Sequence, residues 1–435
     1  MKLFKNKSTQ KILSNIVWML FDKVFILVLN LLVTVRIANY YGSLGYGTYQ
    51  YAASVVALFE IVITFIDARV VKKCYNTEDP SELVWNATVS CTIFSAISIF
   101  GGILYLLVCK ENIEYKTLFS ILIINSAVLN LRFGMANRYE YLLMSRKVIF
   151  ASNIALSVGG ILQLIAVSLR LSIVAIAIIN LFSSVISLII IWLQYRIQFG
   201  KLVRRQIKKR LILELIRESL PLAIAASCAI IYSRCDSIMI GNMLSKSDVG
   251  IYAIAVKIIN IVQIGLSPVR ESVYPQMIEL YNSDKKKYEQ RYLQVTSLLT
   301  WIYIVGVLAS FVVLPFAFRF LNPEYEKAYP LYQIYVIGTF FMYNAALRAG
   351  HYTLINRGNI LLISTVISMA VNIVLNYFGI RQFGINGAAI ATAVTQCISL
   401  MISNLFFHKD GREIFCWQIK AINPKWIFIK VDERN

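Results

Sequence analysis

Eight ionisable side chains lie inside long hydrophobic runs of the sequence: Asp22, Lys23, Arg36, Glu60, Arg132, Arg234, Asp236 and Lys257. A charge at the centre of a bilayer costs about 2.5–3.5 kcal/mol on insertion scales, so it is kept for a partner, a cavity or a function. Five of the eight are basic. Arg36, Arg132 and Arg234 offer planar forks, while Lys23 and Lys257 offer compact point charges, both suited to an anionic cargo. Lys257 sits midway along "IYAIAVKIINIVQIG", with Asn260 three residues on and on the same helical face. The three acids, Glu60, Asp236 and Asp22, suit ion coupling, because a carboxylate in a dry site can carry a proton between two states. The competing arrangement is charge pairing, of Arg234 with Asp236 and of Lys23 with Asp22 or Glu60. Arg36 and Arg132 can also snorkel to the interface.

Other chemistries lack their residues. The seven cysteines are scattered with no C-x-x-C pair, and His351 and His408 are isolated, so no metal is expected. There is no phosphate-binding glycine loop with its lysine, and no nucleophile–base arrangement in a polar segment. Neither cofactor nor catalysis is expected.

The elements that must hold these charges are membrane helices. Of the 435 residues 58% are hydrophobic and only 15% charged, with a mean hydropathy of +0.65. That composition belongs to a bilayer rather than to water. Breaks at charge clusters, Gly and Pro give twelve spans, at 12–38, 47–66, 84–108, 117–136, 149–169, 171–195, 219–243, 250–269, 292–317, 329–347, 359–379 and 385–407. The first span follows the short basic tail "MKLFKNKSTQK" without a cleavage pattern and is expected to remain. The net charge of +20 would suggest nucleic acid in a soluble chain, but here its distribution sets orientation instead. With both termini on the side of the even connections, that side holds 31 Lys and Arg against seven on the other. The bias places both termini in the cytoplasm of a multi-pass protein. The longest connection, "RIQFGKLVRRQIKKRLILELIRESLP", is either a topology-fixing linker or an amphipathic helix on the anionic leaflet. Further along, Pro268 and Pro275 bracket the inner end of the eighth span, as a terminus or a hinge.

An offset of 203 residues superimposes Ile37, Asn39, Gly47, Tyr49 and Ala52 on Ile240, Asn242, Gly250, Tyr252 and Ala255. It also lays the first two spans on the seventh and eighth, so the chain reads as a parallel repeat. The expected division is an N-lobe over 1–197, a basic linker over 198–218, a C-lobe over 219–407 and a tail over 408–435. The uncharged, glycine-rich "RIANYYGSLGYGTYQYA" then reads as an outward hairpin between two spans. In "FGINGAAIATAVTQ" a stripe of small residues reads as a helix-packing face. The same offset pairs Glu60 with Gln263, so each half keeps a polar side chain at that depth.

Four stretches together carry a resemblance: the "IANYYGSLGYGTYQYA" turn, "DSIMIGNMLSKSDVGIYAIAVKI", "LSPVRESVYPQM" and "FGINGAAIATAV". They resemble the Wzx-type flippases of lipid-linked oligosaccharide (O-antigen or capsule) repeat units, in the MOP superfamily with the MATE exporters and the MurJ flippases. That resemblance implies an all-α integral membrane protein with twelve transmembrane helices in two pseudo-symmetric six-helix lobes. It also implies a bacterial inner-membrane location and, as cargo, an undecaprenyl-diphosphate-linked glycan moved from the cytoplasmic to the periplasmic leaflet. Lys257, Arg234, Arg36, Arg132, Lys23 and Asn260 are then the candidates to meet the diphosphate. The implied partners are membrane lipid and glycan polymerase or assembly proteins, with no nucleic acid. Two other readings stay open. A MATE-type drug antiporter would favour an acidic cavity, whereas the spans carry five bases against three acids. A membrane glycan polymerase or ligase would need a large outer loop, and the odd connections are short.

Overall fold

A computed structural model describes residues 7–200, 206–263 and 266–429, except for the side chains of 7–25, 267, 268 and 408. Asp22, Lys23 and His408 therefore lie outside the described side chains. The described residues form helices and no strand: α1 (Lys7–Ile63), α2 (Ala68–Cys74), α3 (Pro80–Val108), α4 (Ile113–Asn130), α5 (Phe133–Tyr141), α6 (Ser145–Ser168), α7 (Ile173–Phe199), α8 (Lys209–Met243), α9 (Lys246–Gln263), α10 (Leu266–Ser283), α11 (Lys285–Phe318), α12 (Ala328–Asn344), α13 (Arg348–Leu354), α14 (Gly358–Phe383), α15 (Ile385–Leu400) and α16 (His408–Lys420).

The burial pattern is that of a protein whose solvent is lipid. On α3, Ile93, Ile97, Phe100, Leu104 and Leu107 are exposed at helical spacing, while Asn86, Ser90, Ser98 and Gly102 are buried. On α14, Ser364, Ser368, Asn372 and Asn376 recur every fourth residue on the buried face, with Ile363, Ile367, Val374 and Phe378 outside. Small and polar residues face the bundle because close approach and hydrogen bonding, not apolar burial, hold helices together in lipid. Eight helical stretches among the described residues are long and apolar enough to span, on α3, α4–α5, α6, α7, α8, α11, α14 and α15. The other four expected spans fall on α1 (two of them), α9 and α12. Helix α12 has 17 residues, the lower edge for crossing, and α9 carries Lys246, Asp248 and Lys257 within its 18.

The chain divides into two compact units. Unit 1 comprises Met1–Tyr41 and Val56–Ala223, and unit 2 comprises Gly42–Val55 and Ile224–Asn435. In unit 1, Val70, Val71, Leu83, Val84, Tyr139, Ile191 and Tyr195 form the core. Leu211 and Leu215, from the expected basic linker, are buried in that core, because the second half of the linker is the first turns of α8. That helix runs on past Pro221 to Met243. Pro275 likewise lies inside a helix, α10.

In the glycine-rich turn two helical stretches of α1 meet directly at Gly42 (φ 68°), a left-handed conformation that favours glycine. Beyond the break, residues 42–55 pack within unit 2. Glu324, in the 3-10 turn Pro323–Lys327, accepts from the Ser43 amide (2.8 Å) and the Ser43 hydroxyl (2.6 Å), and Ser43 Oγ also meets Ser247 Oγ at 2.5 Å. The repeat-related glycines lie backbone to backbone. A Cβ on Gly47 would overlap the carbonyl of Lys246, and one on Gly250 would overlap that of Ser43. Tyr51 donates to Asn242 Oδ1 (2.7 Å) beneath the ammonium of Lys246, 3.1 Å from the ring centroid.

Candidate functional site

Each unit holds a polar interior. In unit 1, α7 presents Asn180, Ser183, Ser184 and Ser187 on one face, at spacings of three and four residues. Ser184 donates to Asn125 Oδ1 of α4 (2.7 Å), and Gln163 of α6 donates to Asn180 Oδ1 (2.6 Å). Arg132 closes the row. Its Nη1 donates to Ser187 (2.6 Å) and to Ser152 of α6 (2.9 Å). Glu60, on α1, accepts from Ser126 of α4 at 2.5 Å. Arg36 is exposed. A partly enclosed cavity of about 80 Å³ opens beside Gln163, lined by Leu29, Asn30, Val33, Leu156, Gly159, Gly160, Asn180 and Ser183.

In unit 2, Asp236 is the centre. It is 5% exposed and sits on α8 facing α9, α12, α14 and α15. Tyr252 donates to its Oδ2 (2.5 Å), Thr392 to the same oxygen (2.7 Å), and Asn376 Nδ2 to Oδ1 (2.6 Å). Outside these, Asn372 Oδ1 accepts from Asn376 (3.0 Å) and from the Cys235 thiol (2.9 Å), and the Tyr335 hydroxyl lies 3.0 Å from that of Tyr252. Asn376 Oδ1 is buried and without a partner among the described residues. The competing arrangement, a pair with Arg234, does not form. Two residues apart on a helix point to opposite sides, and Arg234 is exposed. Lys257 is half-buried on α9, and Asn260 is exposed. Gln263 makes a long contact, 3.5 Å, with the Met342 sulfur.

Two features of this geometry were not singled out from the sequence, and a third, read there as a packing face, does more. The Asp236 shell was announced by the N-x-x-x-N spacing of Asn372 and Asn376, which puts two amides on one face of α14. Arg348, counted as a loop charge, is buried. It donates to Asn404 Oδ1 (2.7 Å) and to Ser364 and Ser403, over the Tyr352 ring. The small-residue stripe Gly387, Ala388, Ala391 and Thr392 is buried, and Thr392 supplies a donor to Asp236 as well as a packing surface.

Outside the spans, Asp67 and His351 are among the groups that titrate away from their ordinary values. Asp67 caps α2, and its hydrogen bond from the Arg69 guanidinium holds the carboxyl below the usual value. His351, buried on α13 with the Tyr288 hydroxyl 2.7 Å from Nδ1, is pushed down to about 4 by desolvation.

Known proteins locate this architecture. Among curated proteins, "Probable low-salt glycan biosynthesis flippase Agl15" of Haloferax volcanii is 25% identical over 175 residues, 39% of this chain. The chain spans only 37% of that relative's length. A solved multidrug resistance MATE family transporter of the MOP superfamily, in an inward-facing conformation, gives a TM-score of 0.71 at 14% identity, covering 89% of this chain and 95% of its own. The lipid II flippase MurJ, inward closed, gives 0.68 at 16%, covering 93% and 91%. At such identities the likeness establishes a MATE-like membrane fold. A family described as MatE matches residues 221–378. A family described as polysaccharide biosynthesis protein matches residues 12–281, more than half of the chain, and this chain belongs to that family.

Proposed function

We propose that the protein translocates a polyprenyl-diphosphate-linked oligosaccharide, with undecaprenyl as the lipid, from the cytoplasmic to the outer leaflet of a bacterial inner membrane. It does so as a non-enzymatic carrier with twelve spans and both termini in the cytoplasm. The observation that carries this reading is the polysaccharide biosynthesis match over residues 12–281. The relative named a glycan biosynthesis flippase supports it, and so does the fold shared with a lipid II flippase. Intramembrane Arg132 and Lys257 give a diphosphate the charge-assisted donors it needs in a medium of low dielectric.

The ion that drives the cycle is bound at Asp236. Among the described residues no Lys or Arg forms an ion pair with this buried carboxylate, so a cation must balance its charge when it ionises. The surrounding donors are mostly hard oxygens: Asp236, Thr392, Asn372 and the unpartnered Oδ1 of Asn376. Such a set suits a proton or an alkali ion. A small-molecule antiporter is the second reading, favoured by the MatE match over 221–378.

The test is deletion of the gene with complementation. Undecaprenyl-linked units trapped in the cytoplasmic leaflet, rescued by the wild-type chain and not by Lys257→Ala, are the expected result. Normal surface glycan in the deletion strain, with lost resistance to a drug, would favour the antiporter.

A further inference from the structure

The internal repeat assigns a role to the cavity in unit 1. The offset of 203 that aligns the break at Gly42 with the end of α8 places Val33 opposite Asp236. Counted from their first residues, α6 and α14 correspond at an offset of 213, which places Gly159 opposite Asn372 and Gln163 opposite Asn376. Helices α7 and α15 correspond at 212, which places Asn180 opposite Thr392. All four unit-1 positions line the cavity. The cavity is thus the second copy of the Asp236 site, with valine in place of the acid and glycine in place of one amide.

Those two exchanges change what the site can hold. Without a carboxylate the lining has no charge to attract a cation. At Gly159 the place of an Asn372-type side chain is taken by Ser183, whose hydroxyl a Cβ there would overlap, and the cavity opens beside it. What remains of polar lining is Gln163, 8% exposed, with Asn30, Asn180 and Ser183. The apolar lining is Leu29 and Val33 of α1 and Leu156 of α6. A whole small-molecule ligand needs a pocket of about 300 Å³ or more, so about 80 Å³ takes a substituent rather than a sugar ring. A lone hydroxyl would use the amides and waste the apolar lining. An acetamido group uses both, with its N–H and C=O on the amides and its methyl on Leu29, Val33 and Leu156.

We infer that this cavity is a recognition subsite for the neutral acetamido substituent of an amino sugar in the cargo, distinct from the charges that meet the diphosphate. The inference rests on the glycan-carrier reading above. It is tested with the purified full-length chain in proteoliposomes and two cargoes, undecaprenyl diphosphate bearing N-acetylglucosamine or glucose. Flipping is read as the fraction of head group reached by impermeant periodate. Gln163→Leu keeps the volume and removes the amide. It is expected to slow the acetamido cargo about ten-fold, the worth of one hydrogen bond of about 1.4 kcal/mol, and to leave the glucosyl cargo within about two-fold. Gly160→Ala, whose Cβ would sit at ordinary contact distance, 3.4 Å, from Leu29 and Val33, narrows the cavity without forcing the backbone and should show the same preference more weakly. Equal slowing of both cargoes by both variants, or no change in either, overturns the subsite. A wild-type chain that moves neither cargo overturns the glycan-carrier reading itself.

Discussion

The two polar interiors occupy corresponding places in the repeat and have opposite chemistry. In unit 2 a carboxylate is enclosed by tyrosine, threonine and two asparagines, and nearly every polar atom is satisfied. In unit 1 the corresponding place is a neutral hollow, and the charges sit elsewhere, at Arg132 and Glu60, each held by serine hydroxyls. A duplicated bundle can therefore keep one copy of a site for the driving ion and open the other to cargo. Packing makes this divergence cheap. Helix contacts in lipid depend on small residues and local hydrogen bonds, so exchanging an acid for valine at position 33 leaves the neighbouring helices in place.

Removing the acid from unit 2 is the sharpest way to break this comparison. Asp236→Asn keeps the shape but turns one acceptor into a donor facing Tyr252, Thr392 or Asn376, a cost of about 1–3 kcal/mol. Transport should fall to background, and what survives should no longer depend on the proton or sodium gradient. Complementation of a deletion strain reads the first outcome, and proteoliposomes with imposed gradients read the second. Wild-type transport with unchanged gradient dependence would remove Asp236 from the coupling role.

Where the repeat has stayed the same, the two copies should be equally intolerant. Gly47 and Gly250 approach each other's strand of backbone, and an added methyl group has no flexible side chain to push aside. Gly250→Ala should destabilise by about 3 kcal/mol, the upper end for overpacking, and Gly47→Ala by a similar amount. Thermal unfolding in detergent measures both. A tolerated alanine at either position would show that the contact opens easily.

Acid should separate the units next. His351 in unit 2 is depressed from 6.5 to about 4, so the folded ring stays neutral while the unfolded ring takes up a proton. Its contribution is complete above pH 6.5 and is lost as pH falls towards 4, on the order of 3 kcal/mol. Asp67 in unit 1 is also depressed, below its ordinary 3.8, so what it contributes persists above that value and is lost only as pH falls through its folded value. With Arg69 largely exposed, that contribution is below about 1 kcal/mol. Hydrogen exchange at pH 7 and pH 5, corrected for intrinsic rates, should show unit 2 loosening first. Earlier loosening of unit 1 would contradict the assignment.

Much of this was legible in the sequence, and the gaps have physical reasons. Span positions follow from hydropathy, and the intramembrane charges stand out because each is costly. The shell around Asp236 is neutral, so Asn372, Asn376 and Thr392 raise no alarm in an apolar run, although their helical spacing is plain once the face is known. Gly47 and Gly250 were visible as repeat mates. That they touch was not, because a sequence does not say which backbones approach. Arg348 looked like a loop charge because it follows the last apolar residues of its span, and only packing shows that Asn404, Ser364 and Ser403 enclose it.

The smallest effect is expected at Glu60, and there the repeat supplies the argument. Its mate at the same offset is Gln263, so unit 2 already works with an amide at that depth. Glu60 accepts one hydrogen bond, from the Ser126 hydroxyl, and a glutamine oxygen accepts the same bond at the same reach. Glu60→Gln makes the two halves alike and should change stability by less than about 1 kcal/mol. Surface glycan should be unaltered and still dependent on the ion gradient, because the coupling role is proposed for Asp236 in the other unit. Transport that persists but no longer responds to the gradient would move the driving ion to unit 1, and the division of labour between the two interiors would have to be reversed.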